Sequence, residues 1–193
     1  SGGLGSPLGR TDAGYLSGIV WVMQGQQPEF RESIRISMPI PVNFCYPASN
    51  AMTDTHLSDK AFAALGLPES LLAGVREAGF DRCTPIQAGT LPIALAGRDV
   101  AGQAQTGTGK TAAFLLAAFA HLLKHPPRPE RKASSPRAIM LAPTRELAIQ
   151  IHKDAVVLGK HTGFKLGLVY GGTGYDSQRK MLEDEVDILI GTP

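Results

Sequence analysis

Ala104-Gln105-Thr106-Gly107-Thr108-Gly109-Lys110-Thr111 is the stretch that decides the fold. Asp99-Val100-Ala101-Gly102-Gln103-Ala104 precedes it and reads as a short buried strand. Thr111 to Phe119 follows it, built of strong helix formers around a large apolar face. A glycine loop between strand and helix is the context in which such a stretch holds phosphate. Gly107 and Gly109 let backbone N–H groups approach an anion closely, and the helix N-terminus aims its amides at it. Lys110 is placed to reach the outer phosphates, and the Thr111 hydroxyl to hold Mg2+. The common pattern opens on glycine, whereas this loop opens on Ala104, small enough to keep the turn. The competing reading is a glycine-rich turn before an ordinary helix.

The 193 residues suffice for one substantial domain and an appendage. A hydrophobic fraction of 43% and a charged fraction of 19% describe a soluble globular chain. The net charge of +2 permits nucleic-acid binding without arguing for it. Cys45 and Cys83 have no metal or redox spacing and read as reduced thiols, which fits a cytoplasmic protein. No apolar run approaches membrane-spanning length, and no signal core is present.

Residues 1–51 are rich in glycine and proline and lack a sustained period, so they read as a disordered extension or sequence ahead of the natural start at Met52. Organised sequence begins at Leu57. Ser58 to Leu65 enters a helical turn, Pro68 to Ala78 reads as a helix, and Ala88 to Leu95 as a short second one. His125 to Pro136 is proline-rich and basic, a solvated loop. Strands are expected at Ala138–Ala142, Lys165–Tyr170 and Val186–Ile190, separated by helices opening at Pro143-Thr144-Arg145-Glu146-Leu147-Ala148 and around Ser177 to Glu183. This alternation implies a parallel α/β sheet covered on both faces, with functional loops at the strands' C-terminal ends.

Ala104 to Thr111, Pro143 to Ala148, Gly171-Gly172 and Gly191-Thr192-Pro193 follow one another as in the N-terminal RecA-like domain of DEAD-box RNA helicases, and residues 52–193 resemble that domain. Thr84-Pro85-Ile86-Gln87 resembles the family's adenine-recognising Q motif, with Phe62 at the upstream aromatic position. The wording is most similar to the branch associated with bacterial RNA-degrading complexes. The resemblance implies ATP and Mg2+ as cofactors. It gives adenine to Gln87 and Phe80, supported by Phe62 and Thr84, and the phosphates to Gln105, Thr106, Gly107, Thr108, Gly109, Lys110 and Thr111. It gives the RNA sugar-phosphate backbone to Thr144, Arg145, Gly171, Gly172 and Thr192. Backbone contacts read no sequence, so RNA binding should be unspecific and salt-sensitive.

The family's Asp-Glu-Ala-Asp segment, its Ser-Ala-Thr segment and a second RecA-like domain are absent from these residues. The expected P-loop sheet is therefore incomplete at its C-terminal side, with an uncovered edge or face. The chain is expected to bind nucleotide and, weakly, RNA, with little or no turnover. Lack of an arginine finger alone costs about 10³–10⁵ in rate. The complete protein would be an ATP-dependent RNA helicase that opens short duplexes, meeting any degradative endoribonuclease through regions beyond this chain. Alternatives are a non-catalytic nucleotide- or RNA-binding module, and another superfamily 2 ATPase.

Overall fold

The computed structural model describes residues 43–45, 57–132 and 134–193. Strands are β1 (Asn43–Cys45), β2 (Val100–Gly102), β3 (Ala138–Leu141), β4 (Leu166–Val169) and β5 (Ile188–Gly191). Helices are α1 (Glu69–Glu77), α2 (Pro85–Leu95), α3 (Lys110–Lys124), α4 (Arg145–Leu158) and α5 (Tyr175–Glu183), with a 3-10 turn at Phe62–Leu65. Apart from β1, the expectations for residues 1–51 fall outside the described residues.

The α/β alternation and the parallel pairing expected from the sequence are present, but the strands form two groups. β3, β5 and β4 make a parallel sheet in the order β3-β5-β4, with Ala138 and Leu166 both opposite Ile188. β2 pairs instead with β1, Asn43 opposite Val100. A parallel crossover need not return to the neighbouring position. β3 thus ends its sheet, and Ile139 and Leu141, two residues apart on one side of the strand, are exposed while Met140 is buried.

α3 is apolar almost all round, as a helix enclosed by other elements must be. Ala113, Leu115, Leu116, Phe119 and Ala120 are fully buried, and the helix packs against α1, α2 and α4. α4 lies on β4 and β5 and also meets α1. At that crossing a Cβ on Gly74 would overlap the Leu158 carbonyl, so only glycine allows the approach. Cys83 is buried, and burial pushes its thiol pKa up, as an inert structural cysteine requires. No helix among the described residues is long and apolar enough to cross a membrane.

The basic loop after α3 is tied down more firmly than its composition suggests. Asp187 Oδ1 accepts from Arg131 Nη1 at 3.0 Å and faces Arg137 Nη1 at 3.6 Å, while Oδ2 accepts from the Lys165 N–H at 3.1 Å. Arg131 Nη2 also donates to the Val186 carbonyl at 2.6 Å. All three charged side chains are mostly shielded from water. Asp187→Ala would take away the carboxylate that faces two guanidiniums, which among the described residues keep only carbonyls as hydrogen-bond partners, and the acceptor of a backbone N–H. Breaking a fully buried pair costs about 3–5 kcal/mol, and partial access to water should reduce that to roughly 2–3 kcal/mol here. Urea denaturation measures the loss, and a change below about 1 kcal/mol would mean the loop is held by other contacts.

Candidate functional site

Thr84 begins the site by capping α2. Its hydroxyl accepts from the Gln87 N–H at 3.5 Å, and its own N–H donates to Gln87 Oε1 at 2.9 Å, a capping box with Pro85 in the first turn. This cap starts α2 three residues earlier than the apolar pattern from Ala88 indicated. It also freezes Gln87, which is only 3% exposed, so that Nε2 donates to the Gly109 carbonyl at 3.0 Å. The Thr84 hydroxyl donates in turn to the Thr108 carbonyl at 2.8 Å. The cap of α2 and the glycine loop before α3 are one hydrogen-bonded unit. One amide N–H and one oxygen lone pair of Gln87 have no partner among the described residues.

Gly109 adopts φ +81° as the N-cap of α3, and Gly107 has the same φ. A Cβ on Gly109 would overlap Gln87 Nε2, so glycine is required there both for backbone angle and for space. Lys110, the first residue of α3, is 7% exposed, and its ammonium donates to the Ala104 and Gln105 carbonyls. Among the described residues no carboxylate lies within salt-bridge distance. Burial lowers the Lys110 pKa, since the charged form loses its water. Thr111 is half-buried and its hydroxyl has no partner among the described residues. A buried ammonium held by carbonyls alone, an unengaged hydroxyl and a glycine cradle at a helix N-terminus form a donor set that fits a Mg2+-bound polyphosphate.

Gln105, Thr106 and Gly107 are exposed on the loop, and the Thr108 hydroxyl closes the turn by donating to the Gln105 carbonyl at 2.7 Å. Of the two aromatic candidates, Phe80 is 42% exposed, whereas Phe62 is 2% exposed and part of the core. Phe62 backs this region through its backbone, its N–H donating to the Asp81 carbonyl at 3.3 Å. It is not available for direct stacking on a ligand.

A hollow of about 430 Å³ lies at the C-terminal ends of β3, β4 and β5, lined by Thr144, Arg145, Gly171 and Thr192 among others. Thr144 caps α4, its hydroxyl accepting from the Leu147 N–H at 3.3 Å. The Arg145 guanidinium lies against Gly171 and Gly172, where a Cβ on Gly172 would be 2.6 Å from Arg145 Nη1. Gly172 also has φ +88°, so the turn and the arginine's seat both depend on it. Sequence reasoning missed what holds this turn. Gln178 Oε1 accepts from the Tyr170 N–H at 2.9 Å, and Nε2 donates to the Tyr170 carbonyl at 3.1 Å and the Thr173 hydroxyl at 2.7 Å. The only signal was a glutamine in the first turns of the helix after Gly171-Gly172.

The family model described as DEAD/DEAH box helicase matches residues 84–193. The ATP-dependent RNA helicase RhlB of Shewanella piezotolerans is 61% identical over 141 residues, which are 73% of this chain and 32% of that protein. Its counterpart in Serratia proteamaculans is 57% identical over the same length, 73% of this chain and 33% of that one. This chain therefore spans about a third of the length of the curated relatives it matches. Among solved structures, a DEAD box protein from Methanococcus jannaschii aligns with TM-score 0.59 and 32% identity, over 69% of this chain and 34% of that one.

Proposed function

The chain belongs to the DEAD/DEAH box helicase family, and on that footing we propose that it carries the ATP-binding face and an RNA-backbone-binding face of an ATP-dependent RNA helicase. The observation that supports this most is the joined unit of Gln87, Gly109 and Lys110. It sets an amide able to read adenine beside a buried ammonium at a helix N-terminus.

Each residue has a definite task in this reading. Gln87 offers its remaining donor and acceptor to the N6 and N7 positions of adenine, and Phe80 stacks on the base. Phe62 supports that segment from the core. N–H groups of Gln105, Thr106, Gly107, Thr108 and Gly109 and the first turn of α3 wrap the phosphates. Lys110 leaves the Ala104 and Gln105 carbonyls for phosphate oxygens, and Thr111 holds Mg2+. ATP supplies the transferable γ-phosphoryl group whose hydrolysis resets the complete protein. Thr144, Arg145, Gly171, Gly172 and Thr192 hold the RNA sugar-phosphate backbone, so binding is insensitive to sequence and weakens with salt. The complete protein would open short duplexes in cytoplasmic RNA turnover, with a degradative endoribonuclease reached through other regions. These residues alone bind ATP and, weakly, RNA, with little turnover.

Competition binding against a fluorescent adenine nucleotide in Mg2+ tests the reading. ATP should win over GTP by tenfold or more, because GTP presents two acceptors where Gln87 offers a donor and an acceptor. Gln87→Ala should weaken ATP about tenfold and erase that preference, since the Gly109 carbonyl also loses its partner. Equal affinity for ATP and GTP in the unmodified chain would overturn the adenine assignment.

A further inference from the structure

Two Phe, Tyr or Trp side chains are strongly exposed among the described residues: Phe80 at 42% and Tyr175 at 76%. Phe80 has a place in the nucleotide reading. Tyr175 has none. It is the first residue of α5, a helix with no buried residue, so the ring is not there to build the core. Exposure of one ring is ordinary on a protein surface; the place this ring occupies is what matters.

Its position narrows what that ligand is. Residues 170–174 join β4 to α5, so Tyr175 leaves the sheet at the same C-terminal end as Thr144 after β3 and Thr192 after β5. It stands three residues beyond Gly172, against which the Arg145 guanidinium lies. The backbone that carries it is fixed. Gln178 clamps Tyr170 and Thr173, and the Ser177 hydroxyl donates to the Gly174 carbonyl at 2.8 Å. A tyrosine on a held backbone loses little entropy when it stacks, having only two side-chain torsions to fix.

We propose that Tyr175 is a stacking platform for one unpaired nucleobase of the RNA strand whose sugar-phosphate backbone is held at Thr144, Arg145, Gly171 and Thr192. This rests on the RNA reading above and adds to it. Backbone contacts alone grip any strand, paired or not. A ring that needs an open base face favours single-stranded RNA, or a duplex end already unstacked, at this position. Stacking is blind to base identity, so the preference is for strand state and not for sequence.

Anisotropy titration of a dye-labelled ten-nucleotide RNA, and of a matching oligomer of abasic ribose units, separates the two ideas. Tyr175→Ala should weaken RNA binding by about 5- to 100-fold, the range of aromatic–base stacking. Tyr175→Phe should bind within about twofold of the unmodified chain, since the π-face is kept. The Tyr175→Ala loss should vanish on the abasic oligomer, and the salt dependence should keep its slope. Arg145→Ala should weaken both oligomers and flatten the slope, by about 0.7 per lost phosphate contact. If Arg145→Ala weakens binding and Tyr175→Ala does not, the stacking role is overturned and the RNA hollow stands. An equal Tyr175→Ala loss on the abasic oligomer overturns it too. If neither variant changes binding, the hollow is not the RNA site and both readings fall.

Discussion

Lys110→Ala should lower ATP affinity by at least about a hundredfold. The ammonium sits at 7% exposure where the outer phosphates are expected, and among the described residues its only partners are the Ala104 and Gln105 carbonyls. Hydrogen bonds to charged groups contribute about 1.5–3 kcal/mol each, and a partly buried ion pair adds to that, so 3 kcal/mol is a modest total. The same residue works against the stability of the nucleotide-free chain. Its folded pKa lies below the usual lysine value because burial penalises the charged form. Between the folded and unfolded pKa values the unfolded chain binds the extra proton, so stability rises with pH across that window. Below the window both states are protonated and the penalty is constant. Lys110→Met keeps the apolar stem and removes the charge. That variant should melt no lower than the unmodified chain without nucleotide, yet gain nothing from ATP. Thermal melts with and without Mg-ATP give both numbers. Unchanged affinity would remove Lys110 from the phosphate site, and a marked fall in the melting temperature of Lys110→Met would show the charge to be structural.

The parts legible in the sequence are those where one residue type satisfies one local demand. Helix formers around an apolar face announced α3, a continuous apolar run announced β3, and the strands expected at Lys165–Tyr170 and Val186–Ile190 are β4 and β5. Gly107 and Gly109 announced a loop that needs positive φ, because few other residues tolerate it. What stayed hidden depends on meeting partners distant in the chain. Thr84 and Gln87 read as base-recognising residues, but their bonds to the Thr108 and Gly109 carbonyls bridge more than twenty residues. No periodicity encodes that contact. The separation of β2 from the β3-β5-β4 sheet was equally invisible, since an apolar strand pattern states burial and not which edge is taken. Phe62 shows a third limit. An aromatic at the expected spacing says nothing of depth, and this one lies in the core. Gln178 drew no reading of its own, yet its amide fixes the turn on which the Arg145 seat depends.

Phe119→Ala should cost about 3–5 kcal/mol, the range for deleting a buried aromatic side chain. The ring is fully buried on α3, 5.8 Å from the Phe164 ring at an interplanar angle of 55°. It also fills the notch left by Gly159 at the end of α4, where a Cβ would be 3.0 Å from Phe119 Cε2. The backbone closing that notch belongs to a helix end packed on its own sheet, so the cavity has little freedom to collapse. Against a typical total of 5–15 kcal/mol, the loss should lower the melting temperature by roughly 10 °C. Phe119 nevertheless stands nine residues from Lys110, about 13 Å along the helix axis. Wherever the variant is still folded, its ATP affinity should stay within about threefold, and ATP should raise its melting point as much as it does for the unmodified chain. Lys110→Met and Phe119→Ala are thus opposite cases. One keeps the intrinsic melting point and loses the ligand shift, while the other loses the melting point and keeps the shift. If ATP affinity fell with Phe119→Ala under folding conditions, the seating of α3 against α4 would have to set the position of its N-terminal amides. Core and phosphate site would then be a single mechanical unit, and the independence claimed for Lys110 would fail with it.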